Sequence, residues 1–338
     1  MKRSALLLSL LLLATPAFAQ KPPTLDDTAK FLAGLQVKGP LEPMTQTAGW
    51  QNHANALNDA WTKKEYHQLT PITNWMMANA SEYYDSSSTM FYMFSGPDFL
   101  YAHTFFPNAN TYILAGLEPV GQVPDLSRLN PEVMGGELSA LRASMHTILQ
   151  THYFITKDMR TDLGRVGGTL PILYVFLARR GCTVLDTTYV KSPAEGVKIT
   201  FVQPKGPKQT LYYFKTDLSG GKSSFLDWCA KQGPGLSLLK AASYLMHGEG
   251  FGGVRSFLLA QSKVIIQDDS GLPLRAFTKG WTVDCYGRYV PHVEMFAKFR
   301  QADLAAIYNG TPPPAELGFA FGYHWQPDRG ILMLARRK

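Results

Sequence analysis

The sequence predicts an α/β or α+β fold, in which a mixed sheet is flanked by helices and preceded by a helical N-terminal segment. From Met90 onward, short apolar runs typical of buried strands alternate with stretches of helical periodicity. Before Met90, apolar residues recur at helical spacing. No long linker rich in Gly, Ser and Pro separates two halves, so we expect one domain over residues 20–338. Its weak internal boundary is "SPAEGV" near Pro193.

The first nineteen residues have the pattern of a secretory signal peptide. "MKR" is a positive start, "SALLLSLLLLATP" is an apolar core, and "AFA" ending at Ala19 is a small-x-small cleavage signal. We therefore expect a periplasmic or extracellular protein that begins at Gln20. The apolar run is short for a membrane span, and no later run is long enough, so no transmembrane segment is expected in the mature chain.

Composition argues for a compact protein without a nucleic-acid partner. Loss of Lys2 and Arg3 with the signal peptide lowers the formal net charge from +7 to +5, and no Lys/Arg-rich block occurs. A small molecule or a ligand derived from the cell envelope is the expected partner. The odd number of cysteines in an oxidising compartment predicts one disulfide and one free thiol, with the pairing open among Cys182, Cys229 and Cys285.

The N-terminal segment predicts helices. "TLDDTAKFLAGL" begins with Thr24, a favourable N-cap followed by acids in the first turn. "VKGPLEP" then interrupts the helical pattern. "WQNHANALNDAWTKKEYHQL" has Trp50, Ala54, Leu57 and Trp61 at helical spacing, and "PITNWMMANASEYY" predicts a third helix.

The first part of the sheet domain begins with an aromatic strand at residues 90–94. "SGPDFLYAHTFF" then predicts a turn and a short helix, and "TYILAGLEP" predicts a second buried strand. Two helices follow, in "NPEVMGGELSALRASMHTILQTHYF" and in "GGTLPILYVFLARRG", where Gly181 is suited to end the helix.

The second part continues the alternation. We expect strands in "CTVLDTTYV", "VKITFVQP" and "QTLYYFKTDL", and helices in "SFLDWCAKQ", "SLLKAASYLMH" and "GGVRSFLLAQS". The strand "KVIIQDDSG" comes next. The tail predicts a helix in "RQADLAAIY" and strands in "LGFAFGYHW" and "ILMLA".

The turn after the first strand is a candidate ligand site. Ser95 and Gly96 let the backbone bend close to a ligand, and a helix N-terminus favours anions. In the alternative interpretation, Pro97 simply starts a helix, with Asp98 complementing the helix dipole. The candidate ligand-binding residues are Ser95, Gly96, Tyr92 and Tyr101.

Glu118 ends the second strand, twenty residues after Asp98. A turn, a helix and a strand-end acid describe a nucleotide-binding unit. The turn of this unit has no GxGxxG fingerprint, however, and an exported protein seldom meets a soluble dinucleotide. "TDLSGGKSS" lacks the first glycine of a P-loop, so that motif is excluded.

The pair Asp268 and Asp269 is the most concentrated acidic feature. Two carboxylates at a strand end can bind a hard cation or act as acid and base, although neighbouring strand residues face opposite sides. Asp-Asp-Ser-Gly is also ordinary turn chemistry. His247, before Gly248, is either an exposed cleft histidine or a residue that interacts with a helix end.

Four segments together resemble a family of uncharacterised exported bacterial proteins: "AKFLAGL", "FSGPDFLYAHTFFPNANTYILAGLEPVG", "LKAASYLMH" and "QDDSGLP". The resemblance covers most of the mature chain and implies a bacterial, exported origin. It carries no fold, activity or site residue that can be transferred.

These patterns leave three functional hypotheses and identify no cofactor or metal. The first hypothesis is an enzyme, most plainly a hydrolase. Its strand-end acids and one histidine would then lie together at the carboxyl edge of the sheet. These residues are Asp98, Glu118, Asp217, Asp268, Asp269 and His247. Asp268 or Asp269 would be the base or a cation ligand, and His247 the proton donor. As a binding protein for a sugar or apolar ligand, it would line a pocket with Tyr83, Tyr84, Tyr92, Tyr101, Tyr212 and Tyr213. As a structural or envelope-interaction protein, it would use these acids only in turns.

Overall fold

The structure is a computed structural model that describes residues 22–126, 130–154, 167–221, 223–290, 294–324 and 330–338. It confirms the α/β prediction: a nine-stranded mixed sheet is flanked by helices and preceded by a helical N-terminal segment. No helix in these ranges is both long and apolar enough to cross a bilayer. The predicted signal peptide and its cleavage site lie outside the described residues.

The N-terminal helices begin at the predicted cap. The Thr24 hydroxyl accepts a hydrogen bond from the Asp27 amide at 3.0 Å, and the Asp27 carboxylate accepts one from the Thr24 amide at 3.1 Å. This reciprocal capping box fixes the start of the first helix. The N-terminal helices are α1 (Leu25–Leu32), α2 (Ala48–Lys64), α3 (Thr70–Asn79) and α4 (Ser81–Tyr84), with a π-helical turn, Glu65–Leu69, between α2 and α3.

The sheet and its flanking helices account for most of the remaining chain. The strands are β1 (Thr89–Tyr92), β2 (Thr111–Gly116), β3 (Thr183–Val190), β4 (Glu195–Val202), β5 (Lys208–Lys215), β6 (Gly235–Leu239), β7 (Ser262–Gln267), β8 (Trp281–Gly287) and β9 (Ile331–Arg337). The helices are α5 (Phe99–Phe105), α6 (Pro131–Thr151), α7 (Leu170–Arg179), α8 (Ser224–Ala230), α9 (Gly252–Gln261) and α10 (Ala302–Tyr308). A short 3₁₀ segment, Glu294–Phe299, lies between β8 and α10.

The strand order is β3-β4-β5-β2-β1-β6-β7-β9-β8. The five central strands, β5, β2, β1, β6 and β7, are parallel, while β4 and β9 run antiparallel to their neighbours. From β1, the chain builds β2 and then β5 on one side of β1. It then crosses over to build β6 and β7 on the other side. This reversal is a topological switch point between β1 and β6, where open α/β sheets bind their ligands.

Both faces of the central strands are buried, because helices cover each side of the sheet. On one face, Tyr112 and Leu114 of β2 share a core with α1, α2, α5, α6 and α7. On the other face, Ile113 and Ala115 share a core with α8 and α9. The alternation of side chains along a strand therefore divides β2 between two hydrophobic cores.

Two of the element predictions are wrong, and one strand was missed. "SLLKAASYLMH" is not a helix, because Gly235–Leu239 form β6 in the centre of the sheet. A short apolar run buried on both faces has the same pattern in a strand and in a buried helix. β8 was not predicted. "LGFAFGYHW" makes only an isolated bridge at Phe321 within the described residues, and its phenylalanines pack in the core without joining a strand.

The predicted disulfide is wrong, because all three cysteines are free. Cys182 precedes β3 at one edge of the sheet, and Cys285 lies in β8 at the opposite edge. Cys229 lies in α8 and is buried in the core on one face. The three sulfurs are thus carried by elements that the sheet keeps apart.

Candidate functional site

A cavity of about 480 Å³ opens at the carboxyl ends of the central parallel strands. This volume is within the usual range for a small-molecule site. The strand-end residues in its lining include Ser95 and Gly96 after β1, Glu118 after β2, Asp217 after β5 and Lys240 after β6. The cavity therefore lies at the switch point that the strand order defines.

The β1 turn and the end of β2 are packed backbone against backbone. A side chain on Gly116 would place its Cβ only 2.9 Å from the Cα of Gly96, which itself has a left-handed φ of 52°. The Ser95 amide donates to the Ala115 carbonyl at 2.9 Å and extends this contact. The close approach brings the Glu118 side chain beside the β1 turn.

Glu118 is held by a tyrosine from the neighbouring strand. The Tyr213 hydroxyl donates to the Glu118 carbonyl at 2.9 Å and lies 3.3 Å from its Oε2. Burial, reinforced by the Glu118 carboxylate, holds the pKa of Tyr213 well above its usual value, so the hydroxyl remains a donor. Glu118 is 4 % exposed and lines the cavity, so its carboxylate is a fixed acceptor for a ligand.

A buried ion pair forms the floor of the cavity. Lys240 Nζ lies 3.1 Å from Asp98 Oδ2, which also accepts a hydrogen bond from the Tyr92 hydroxyl at 2.9 Å. Asp98 Oδ1 accepts from the Tyr101 amide at 3.0 Å and caps α5. The Lys240 ammonium also lies 3.9 Å above the Tyr101 ring. Burial lowers the pKa of Lys240, while the Asp98 carboxylate opposes this shift.

A second buried lysine connects this floor to one wall. Lys64 Nζ donates to the Ile148 carbonyl at 2.9 Å and lies 2.6 Å from the His152 ring nitrogen Nδ1, while Lys240 donates to the His152 carbonyl. Burial, together with the charge of Lys240, lowers the pKa of Lys64 to about 7. Tyr153 and Phe154, which follow His152 in the sequence, line the cavity.

The predicted site residues divide into two groups. The structure brings together those that line the cavity, namely Ser95, Gly96, Tyr92, Asp98, Glu118 and Asp217. The lining does not include those behind it, namely Tyr101, His247, Asp268 and Asp269. Asp217 is exposed at the mouth, where the Ser219 amide donates to it at 2.8 Å and lowers the pKa of its carboxyl.

Asp268 and Asp269 follow β7 and are fully or almost fully buried. The Tyr244 hydroxyl donates to Asp269 Oδ2 at 2.7 Å. His247 packs edge-on against Tyr244 and Phe299, and burial lowers its pKa to about 4. A neutral, enclosed histidine and two carboxylates engaged by the protein do not face the cavity directly.

The aromatic walls come from residues that the sequence analysis did not select. Of the six tyrosines proposed for a binding pocket, Tyr92 lines the cavity and Tyr213 supports Glu118, whereas the described contacts place Tyr212 against Phe214 and Trp228. The walls instead carry Phe94, Tyr153, Phe154, Phe251, Phe296 and Tyr323. Only Phe94 had a local signal, since it directly precedes the Ser-Gly turn.

Lys240 was also missed, because its segment was predicted to be helical. Its signal is its position at the end of a short apolar run, where a strand-end residue points toward a cleft. Within the described ranges, no three His, Cys, Asp or Glu side chains lie close enough to hold a metal ion together. The geometry offers a fixed carboxylate, a buried ion pair and aromatic surfaces for an organic ligand.

No family of known proteins, no curated protein and no solved structure matches this chain. The site must therefore be interpreted from its own geometry.

Proposed function

We propose that the protein binds a nucleoside, or a similar ring-bearing sugar, in the cavity at the switch point. The observation that carries this proposal is the position of Glu118. It is a buried carboxylate just beyond the second parallel strand, and it lines the cavity next to the turn that follows the first strand. An acid at this place accepts hydrogen bonds from the neighbouring hydroxyls of a ribose in nucleotide-binding sheets.

The order of the parallel strands supports the same ligand. Counted along the chain, β1, β2, β5, β6 and β7 are the first to fifth parallel strands, and in space they run 3-2-1-4-5. This is the order of the parallel strands in dinucleotide-binding folds, whose ligands lie across the same crevice. The turn between β1 and α5 has no GxGxxG fingerprint, so the proposal is limited to the nucleoside part and does not extend to a pyrophosphate.

The walls supply a surface for a flat ring. Phe94 and Phe251 contact each other edge to face, with ring centroids 5.6 Å apart, and both line the cavity. Aromatic faces stack on any nucleobase. The proposal thus narrows the binding-protein hypothesis to a ligand with both a sugar and an apolar ring.

The hydrolase hypothesis has less support. Asp268, Asp269 and His247, which it requires as base and proton donor, are absent from the described cavity lining. Asp98 is engaged by Lys240 and Tyr92. We retain export to the periplasm and membership of an exported bacterial family as further proposals, supported by the N-terminal pattern and by the four resembling segments.

A calorimetric comparison of adenosine with 2′-deoxyadenosine tests the proposal on residues 20–338, after a thermal-shift screen of the common nucleosides. We expect adenosine to bind at least tenfold more tightly than its 2′-deoxy form. Hydrogen bonds to a charged group contribute about 1.5–3 kcal/mol, which is roughly a 10- to 150-fold change in affinity. Glu118→Gln should remove most of this discrimination.

Glu195→Gln is the matched control, since this carboxylate is 66 % exposed in its ion pair with Lys215 and lies on β4, away from the cavity lining. It should leave both affinities unchanged. A protein that no nucleoside stabilises against heat at millimolar concentration, or a Glu118→Gln variant with intact discrimination, contradicts the proposal.

A further inference from the structure

One wall of the cavity is a strained loop. The wall loop, residues 241–244, follows β6 with the sequence Ala-Ala-Ser-Tyr. Ala241, Ser243 and Tyr244 have left-handed φ angles of 53°, 56° and 55°. Such angles are costly for residues with a Cβ and persist only where surrounding contacts impose them. Ala241, Ala242 and Ser243 line the cavity, so the strained backbone itself forms its surface.

The contacts that impose this conformation come from two other segments. Asp268 Oδ2 accepts the Ala241 amide at 3.2 Å, and the Ser270 hydroxyl oxygen accepts the Ala242 amide at 2.7 Å. The Ser270 carbonyl accepts the Tyr244 amide at 3.1 Å. Three acceptors of the turn after β7 thus receive three backbone amides of the wall loop.

Tyr323 completes the attachment from the opposite side. Its hydroxyl donates to the Ala241 carbonyl at 2.9 Å, accepts the Ser243 amide at 3.1 Å, and lies 2.8 Å from the Ser243 hydroxyl. Tyr323 also lines the cavity. Removing this hydroxyl therefore releases two backbone groups of the wall loop at once.

We propose that Asp268, Ser270 and Tyr323 are positioning residues that hold the wall loop in its strained conformation and thereby set the shape of the cavity. The proposal does not depend on which ligand binds. It gives the Asp-Asp-Ser-Gly segment a role other than catalysis: Asp268 acts on the cavity through the Ala241 amide. The loop's shape then depends on the charge of one buried carboxylate.

The bonds of Asp268 explain why its ionised form matters. Its Oδ1 accepts from the Ser270 hydroxyl at 2.6 Å and the Ser270 amide at 3.3 Å, so both oxygens are acceptors. Protonation converts one acceptor into a donor and weakens the link to Ser270 or to Ala241. Gly322 leaves room for the Asp268 carboxylate, because any Cβ at this position would overlap it.

Burial, and then the neighbouring Asp269 carboxylate, raise the pKa of Asp268 to about 7, while bonds from Ser270 and Ala241 and the charge of Lys240 oppose the shift. The remaining titratable groups that face Asp268 are the hydroxyls of Tyr92, Tyr244 and Tyr323, whose pKa values are all raised by burial. They stay neutral across the range from pH 5 to 9. The ammonium group of Lys240 forms its ion pair with the Asp98 carboxylate.

The sign of the effect follows from the direction of this shift. The folded protein holds the Asp268 proton above the usual range for an aspartic acid, so the folded state binds more protons than the unfolded state between about pH 4 and 7. The contribution of this group to stability therefore falls as pH rises through that window. Above this pH range, the Asp268 carboxylate is ionised and holds the wall loop, but burying its charge lowers the stability of the folded protein.

Amide NMR of the ¹⁵N-labelled protein without ligand tests the proposal. We expect the amides of Ala241 and Ser270 to titrate together as Asp268 ionises, with a midpoint above the usual pKa of an aspartic acid. In Asp268→Asn, this titration should disappear, and the wall-loop amides should move to new positions. Lys64 titrates in the same range, but it remains in the variant, so the difference between the two proteins isolates Asp268.

Tyr323→Phe is the second variant and is expected to move the amides of the same loop without removing the titration. Tyr189→Phe is its matched control, since the Tyr189 hydroxyl also accepts a backbone amide, that of Val123 at 3.0 Å. It should leave the wall loop unchanged. If Asp268→Asn does not fold, Tyr323→Phe still decides, because its three contacts to the wall loop do not depend on Asp268.

Either of two results overturns the proposal. One is a set of Ala241 and Ser270 amides that respond to pH identically in the wild-type protein and in Asp268→Asn. The other is a wall loop with wild-type amide positions in Asp268→Asn or in Tyr323→Phe.

Discussion

Lys240→Met should lower the free energy of unfolding by about 3–5 kcal/mol, because it leaves the Asp98 carboxylate charged and buried without its cation. The two side chains are 1 % and 3 % exposed, so solvent screens the unpaired charge only weakly. The Tyr92 hydroxyl and the Tyr101 amide remain bonded to Asp98, but they do not neutralise its charge. Urea denaturation followed by circular dichroism measures the loss.

Two comparisons separate the ion pair from general effects of losing a lysine. Lys30→Met removes a cation from the partly exposed pair with Asp26, at 2.7 Å, and should change stability by less than about 1 kcal/mol. The double variant Asp98→Asn/Lys240→Met should be more stable than Lys240→Met, because it removes the unpaired charge. A Lys240→Met protein as stable as the Lys30→Met protein contradicts this account of the floor.

Gly116→Ala should destabilise the protein by about 1–3 kcal/mol and abolish ligand binding. The new Cβ would overlap the Glu118 carboxylate and come within 2.9 Å of the Gly96 Cα and 3.0 Å of the Tyr213 hydroxyl. Backbone cannot yield here, since β2 is paired on both sides by β1 and β5. Glu118 must therefore move away from the turn after β1.

The same glycine-to-alanine change at Gly136 is the control. Gly136 lies inside α6, and a Cβ there meets no atom within 4 Å. It should stabilise the helix by about 0.5–1 kcal/mol, because alanine is the better helix former. Thermal unfolding and calorimetry with the nucleoside found in the screen measure both variants. Gly116→Ala with unchanged affinity would separate Glu118 from ligand binding.

Local sequence patterns were sufficient to predict those helices and strands whose own residues carry a distinctive signal. The Thr24 cap, the aromatic strand β1 and the helix in α7 were predicted because capping side chains, strand residues and apolar helices have local signatures. β6 was not predicted, since five apolar and small residues buried on both faces carry no period. Its misassignment also concealed Lys240.

The candidate site shows the same division. The sequence by itself determined that acids follow several strands. It selected Asp98, Glu118 and Asp217 as strand-end acids, and it selected Ser95 and Gly96 from turn chemistry. It put Asp268 and Asp269 forward as the base or cation ligand, because all of these acids follow apolar strands and only the adjacent pair stands out locally.

Only the tertiary structure decided which strand ends meet. The strand order places β6 beside β1, so Lys240 reaches Asp98. It also places β2 between β1 and β5, so Gly116 lies against Gly96 and Glu118 meets Tyr213. It also turns Asp268 and Ser270 toward the backbone of the wall loop and away from the cavity lining. The physical reason is that the pairing of parallel strands is set by contacts between distant segments, which no single stretch of the chain encodes.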